Sequence, residues 1–183
     1  MPRIQTVDSE QTEGRVKDLL NGVNKKLGMV PNLLKTLAHA PAALEYYVAG
    51  GNTLAGGLLD AKLRERIMLA VAGENGCDYC ASAHTLLAKK AGIDDRDLVL
   101  GLKGESADAT ADAALKFAKA VIAARGKVTD ADIEAVRKAG YGDGEITEIV
   151  ANIAFGIYTN YFNHVADTEI DFPVVRTQAK AAA

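Results

Sequence analysis

The chain has 183 residues, of which 49% are apolar and 25% charged, and a net charge of -3. A single core of that size removes about two-thirds of the surface an unfolded chain exposes, so folding needs no disulfide staple. The apolar and charged fractions exclude a disordered or membrane-embedded chain, and the negative balance argues against nucleic acid as a partner.

Helical spacing recurs along nearly the whole chain, with no alternating strand pattern bounded by turns, so the expected fold is all-α. The opening MPRIQTVDSEQTEGR holds no apolar run suited to a signal peptide. No later stretch reaches the about eighteen uninterrupted apolar residues of a membrane span, so a cytoplasmic protein with no membrane partner is expected. Asp8 or Ser9 is placed to cap a first helix that runs towards Leu27 and ends near Gly28. MVPNLLKTLAHAP then reads as a short helix bounded by prolines, with His39 a surface or turn residue at its exit. Pro41 suits the first turn of the next helix, which continues through about Ala55. GNTLAGGLLD marks a break.

From about Asp60, AKLRERIMLAVAGE reads as a helix apolar on nearly every side, which belongs at the centre of the fold. Asn75 and Gly76 interrupt it, and CDYCASAHTLLAKKAG begins another helix that closes at Gly92. GESADATADAA is compositionally biased and reads as a surface loop leading into a helix at roughly 108–125. Helices at roughly 130–139 and 143–163 follow, the last with Ile146, Ile149, Ile153 and Ile157 on one stripe. The tail from Phe172 to Ala183 is expected to be extended or loose. No internal repeat or linker divides the chain, so residues 1–183 are expected to form one domain.

Both cysteines and one of the three histidines fall within ENGCDYCASAH, residues 74–84. In a cytosolic setting, reductants keep ordinary thiols reduced, so a CxxC pair points to redox chemistry or metal binding rather than to a structural bridge. On a helix starting at or just before Cys77, Cys80 lies three residues on and His84 four beyond it, which puts all three on one stripe. Cys77 in the first turn meets free backbone N–H groups and the positive end of the helix dipole, which favour its thiolate. His84 is spaced to take a proton from Cys80 or to hold charge beside its thiolate. The residues alone leave open which thiol is the nucleophile. Either way, attack on an O–O or S–S bond leaves an oxidised sulfur that the neighbouring thiol closes into a disulfide.

Glu65 is the candidate to orient His84. It shares helical spacing with Leu58, Ala61, Met68, Leu69 and Ala72, while Lys62 and Arg66 point elsewhere, so its carboxyl is expected to be partly buried and suited to exchanging protons. The competing use of Glu65 is an ordinary ion pair with an arginine. Glu74 competes by proximity, at a helix end. His164, at the end of the last long helix, reads as a polar helix end, with a supporting or subunit-contact role open. A zinc site built from Cys77, Cys80, His84 and a carboxylate is the rival for the whole group, in a non-enzymatic binding or assembly protein. Haem attachment fails because Ala81 follows Cys80 where a histidine is required, and a thioredoxin fold fails because no βαβ pattern surrounds the motif.

Glu65, eleven intervening residues and then Cys77-x-x-Cys80-x-x-x-His84 resembles the signature of the AhpD-like, carboxymuconolactone decarboxylase superfamily. RERIMLAVAGENGCDYCASAH resembles that family's helix pair, and GMVPNLLKTLAHAPAALEYY and NYFNHVADTEIDFP resemble flanking segments of its longer, peroxidase-related members. The resemblance covers most of residues 27–173, the expected core, and implies an antiparallel helical bundle that assembles into homo-oligomers, usually trimers or hexamers. It also implies a thiol-dependent peroxidase that reduces small organic hydroperoxides with no bound cofactor, drawing on an external dithiol or redox protein. Cys80 is then peroxidatic, Cys77 resolving, His84 the base and Glu65 its partner. The alternative on the same residues is a thiol–disulfide oxidoreductase with incidental peroxidase activity. The chain departs from the family pattern at Tyr79, where some members carry a second histidine, which implies a weakened or altered proton relay. The superfamily's true decarboxylases lack the cysteine pair, which argues against lactone decarboxylation.

Overall fold

In the computed structural model, which describes residues 1–177, the first helix starts later than its capping signal suggests. The Asp8 carboxylate accepts from Glu10 N at 3.0 Å and from Gln11 Nε2 at 2.8 Å, and so closes a 3-10 turn, Ser9–Gln11, instead of capping a long helix. Thr12 is extended, and α1 runs only over Gly14–Leu27 before stopping at Gly28.

Helix α2 (Asn32–Leu37) follows Pro31, and α3 (Pro41–Ala55) carries Pro41 in its first turn. Asp60 caps α4 (Ala61–Asn75) by accepting from Leu63 N at 2.7 Å, and α5 (Asp78–Lys90) holds the CxxC motif's second half. The sequence assigned no element to α6 (Asp95–Leu102), which at two turns is too short to show a period. Asp94 caps it, accepting from Asp97 N at 2.9 Å. Helices α7 (Ala109–Ala123), α8 (Asp130–Lys138) and α9 (Asp143–Ala166) complete an all-α fold, with no strand among the described residues. The last helix outruns its expected end at 163 and stops where Asp167 turns left-handed, with φ 51.

Helix α4 is the centre. Ile67, Leu69, Ala70, Val71 and Ala72 are fully buried, and the helix packs against α5, α6, α7 and α9. On one side, Leu115, Val136, Ile149 and Ile153 form a core, flanked by Ile146 and Ile157 of the isoleucine stripe. On the other, Leu20, Leu34, Leu37 and Leu44 of α1–α3 close over the first turns of α5. Each such buried aliphatic side chain contributes roughly 1.5–3 kcal/mol, which fixes the α4–α5 hairpin between two cores. Gly156 lets α9 cross α4 closely, since a Cβ there would lie 3.0 Å from Val71 Cγ1 and 3.2 Å from Met68 Sδ. That crossing brings the next two turns of α9 towards the cysteines.

The tail is tied down as far as it is described. Val175 N donates to Ser82 Oγ at 2.9 Å, Thr177 donates to Asp78 Oδ1 through N at 2.8 Å and Oγ1 at 2.7 Å, and Arg176 pairs with Asp78 at 2.8 Å. The segment expected from Phe172 onward to be extended or loose has no helix or strand over 172–177 and is held by these bonds; residues 178–183 lie outside the described residues. The GESADATADAA loop is likewise anchored, because Asp97 accepts from Ser106 Oγ at 3.0 Å and Ala107 N at 2.8 Å. Among the described residues no helix is long and apolar enough to cross a membrane.

Candidate active site

The turn between α4 and α5 sets the geometry. Gly76 takes the left-handed conformation, with φ 69, that ends α4 and turns the chain at once into Cys77. Cys77 is the N-cap of α5, in extended backbone, and its Sγ accepts from Cys80 N at 3.3 Å. A thiol thus fills a place where a serine or aspartate oxygen is usual. Cys80 enters the helix proper, and both residues are buried, at 1% and 3% exposure.

Around Cys80 converge groups from three helices. Asn163 of α9 donates Nδ2–H to Cys80 Sγ at 3.3 Å. Asn160, one turn earlier, accepts from Asn75 Nδ2 at 3.0 Å, and its side chain also favours the thiolate of Cys80. His84, one turn beyond Cys80 on α5, donates Nδ1–H to Glu65 Oε2 of α4 at 2.8 Å. The Glu65 side chain is 20% exposed and that of His84 16%, so the carboxyl is partly buried as its spacing suggested. Leu58, placed on the same stripe by the sequence, lies before the helix and is 65% exposed. The arginine pairing weighed for Glu65 belongs to its neighbour: Arg66 joins Asp97 at 2.6 Å.

These contacts separate the two thiols electrostatically. Burial pushes Cys80 up, but hydrogen bonding with Cys77, the charge of His84 and the amides of Asn163 and Asn160 outweigh it and bring the thiol down to about 7. Cys77 moves the opposite way, raised by its hydrogen bond with Cys80 and by burial. Burial pulls His84 down, yet the charge and hydrogen bond of Glu65, with the charge of Cys80, raise it above 6.5. The arrangement therefore favours a Cys80 thiolate facing a His84 imidazolium, while Cys77 keeps its proton.

A cavity of about 350 Å³ opens onto this group. Cys80, His84, Glu65 and Asn163 line it and Cys77 does not, so of the two sulfurs Cys80 is the one a small molecule can reach. Leu34, Tyr47, Met68, Leu87 and Phe155 contribute apolar walls.

Other candidates from the sequence fall outside the group. Glu74 lies 3.5 Å from Lys119 Nζ. His39 hydrogen-bonds the Gln5 carbonyl at 2.8 Å through Nε2, and His164 is exposed and does not line the cavity. Tyr79 lines the cavity, but its hydroxyl accepts from Leu33 N at 3.0 Å and donates to Asp171 Oδ1 at 2.9 Å. Among the described residues, no group of three or more His, Cys, Asp or Glu is arranged to hold a metal ion. Sequence reasoning missed Asn160 and Asn163. The available signal was two amides at i, i+3 on a helix that carries the apolar isoleucine stripe, where buried polar groups require partners.

The sequence profile of the carboxymuconolactone decarboxylase family matches residues 41–123, from α3 to the end of α7. No curated protein matches the chain. Among solved structures it is similar to the alkylhydroperoxidase AhpD core of an uncharacterized peroxidase-related protein from Ralstonia eutropha JMP134. The TM-score is 0.85 at 26% identity, covering 93% of this chain and 92% of that one. An uncharacterized peroxidase-related protein from Silicibacter sp. TM1040 is similar with a TM-score of 0.78 at 25% identity, over 91% of this chain and 92% of that one. The debrominase Bmp8 shares the fold, with a TM-score of 0.79 at 18% identity over 92% of each chain.

Proposed function

Because the chain belongs to the AhpD-like, carboxymuconolactone decarboxylase superfamily, we propose that it is a thiol-dependent peroxidase that reduces organic hydroperoxides through Cys80 and Cys77. The observation that carries this reading is the position of Cys80. It is the one thiol among the described residues that line the cavity, it is held between Asn163 and the His84–Glu65 pair, and the second thiol accepts from its backbone N–H at 3.3 Å.

The chemistry follows from those contacts. The Cys80 thiolate attacks the terminal oxygen of ROOH, the O–O bond breaks, and the alkoxide takes a proton from the His84 imidazolium and leaves as ROH. Cys80 is then a sulfenic acid. The Cys77 thiol displaces its hydroxyl as water, forming the Cys77–Cys80 disulfide. Cys77 stands outside the helix as its N-cap, so closing this bond does not require unwinding α5. An external dithiol returns two electrons and two protons and restores both thiols. Glu65 keeps His84 protonated for the leaving group and holds its ring in place. The cytoplasm, which keeps thiols reduced, is the setting this cycle suits.

The test is the intact mass of the reduced protein before and after one equivalent of cumene hydroperoxide, with peroxide consumption followed in parallel. Loss of two hydrogens is expected in the wild type. Gain of one oxygen, trapped as the sulfenic acid, is expected in Cys77→Ser, and no reaction in Cys80→Ser. Undiminished turnover in Cys80→Ser would overturn the assignment.

A further inference from the structure

The cavity is longer than the chemistry at Cys80 requires, and its two ends differ. Along α5 it is lined by Cys80, His84, Leu87 and Lys90, a stripe at helical spacing. At 1.5 Å rise per residue, the distance from Cys80 to Lys90 is about 15 Å. Between them the walls are aliphatic and aromatic. Lys90 stands at the far end of that stripe; Lys26 of α1, whose Nζ donates to Asn52 Oδ1 at 3.1 Å, also lines the cavity, as does Arg64, whose guanidinium donates to Leu59 O. Glu65 is the only carboxylate among the described lining residues, and His84 already pairs with it. A chain with net charge -3 thus lines a largely apolar groove with three cations and one carboxylate. At the reacting end, Asn163 Oδ1 is buried without a hydrogen-bond partner, beside the Nδ2 that donates to Cys80.

We infer that the groove takes a fatty-acid hydroperoxide whose carboxylate pairs with Lys90 and Lys26 and whose hydroperoxide group, an acyl-chain length away from Lys90, reaches Cys80. The inference rests on the peroxidase reading and adds the substrate class to it. The apolar walls cover the acyl chain, and the hydroperoxide O–H donates to Asn163 Oδ1, which sets the terminal oxygen before the sulfur. A volume of about 350 Å³ suits one acyl chain and not a diacyl lipid. Reduction on this substrate balances as above: the O–O bond breaks, a hydroxy fatty acid and water leave, and an external dithiol supplies both electrons.

Three probes test it, with dithiothreitol as reductant: the hydroperoxide of linoleic acid, the methyl ester of the same hydroperoxide, and cumene hydroperoxide. The free acid is expected to exceed the ester about tenfold in kcat/KM, mainly through KM, with the ratio shrinking as salt rises. The ratio should collapse towards one in Lys26→Gln/Lys90→Gln and persist in Lys138→Gln, which removes an exposed lysine on α8. Unoxidised linoleate should also bind the reduced protein more tightly than methyl linoleate, a readout that involves no peroxide chemistry. Equal rates for acid and ester, or a preference that survives the double variant, would overturn the inference while turnover of cumene hydroperoxide leaves the peroxidase reading standing. No turnover of any of the three would overturn the peroxidase reading, and equal binding of linoleate and its ester would then remove the carboxylate site as well.

Discussion

Glu65 and Arg66 are consecutive residues of α4, and each forms a charged pair with a neighbouring helix, yet the two pairs are built differently. Arg66 reaches Asp97, which is 2% exposed, through Nε at 2.7 Å and a second nitrogen at 2.6 Å, while the other Asp97 oxygen accepts from Ser106 and Ala107. Every acceptor is used, and Asp97 does not line the cavity. Glu65 reaches His84 through a single 2.8 Å bond, the pair faces the cavity, and nearby Asn163 keeps an oxygen without a partner. A closed network stabilises a fold, whereas an open one holds groups ready for something that arrives later.

The largest expected effects set these two pairs against each other. Asp97→Ala strands a buried guanidinium and should cost about 3–5 kcal/mol in urea denaturation, with the kcat of the folded fraction preserved. His84→Gln should do the reverse, lowering the peroxide rate by about 10²- to 10⁴-fold with little loss of stability. A dead but stable Asp97→Ala, or an unfolded but otherwise active His84→Gln, would break the contrast. The closed pair also has its own pH signature. Burial pushes the Asp97 carboxyl up, but the Ala107 amide, Arg66 and Ser106 hold it below its ordinary value. Its stabilisation is therefore complete above the ordinary carboxylate pKa of about 3.9 and is lost as pH falls through the lower folded value.

The next effect concerns the thiol. A hydrogen bond to a charged group contributes about 1.5–3 kcal/mol, so Asn163→Ala should reduce the thiolate fraction of Cys80 by roughly ten- to hundredfold below its midpoint. Iodoacetamide alkylation against pH would show that midpoint moving upward from about 7. In the wild type, the peroxide rate should rise with pH as Cys80 ionises near 7 and decline at higher pH, once His84 gives up the proton the leaving group needs. A flat profile across this range would show that the pair does not titrate as its contacts require.

What the sequence disclosed follows the same division. Glu65, Cys77, Cys80 and His84 were legible because three of them repeat along one helix and the fourth lies across a tight hairpin, so local periodicity brings them together. Asn163 reaches Cys80 across 83 positions of chain, and no local pattern carries that contact. The Arg66–Asp97 pair was hidden because α6, which supplies Asp97, is only eight residues long. The choice between the thiols was hidden for another reason. Helix dipole and histidine spacing favour different sulfurs, and the contrast appears only once Cys77 is seen to spend its sulfur on capping α5 while Cys80 meets the cavity.

Tyr79 gives the smallest and sharpest test, because it lies between the two kinds of network. It stands where some members of the family it resembles carry a second histidine, and it lines the cavity. Its hydroxyl is nevertheless closed off: Leu33 N donates to it, it donates to Asp171, and Asp171 also accepts from Asn32 N at 2.8 Å. Phe172 packs edge-on against the ring, with centroids 5.6 Å apart. A phenol committed to two partners ties α2 and the tail to α5 and has no proton to spare, and burial pushes its ionisation further up. Tyr79→Phe keeps the ring and removes only the hydroxyl, so it should cost about 1–2 kcal/mol in stability as Leu33 N and Asp171 lose a partner. If Tyr79 belongs to the closed side, the rate on cumene hydroperoxide and its pH profile should be unchanged apart from that loss. A displaced pH profile at undiminished stability would place the Tyr79 hydroxyl in the proton relay instead, and the boundary between scaffold and reactive group would have to be redrawn through α5 itself.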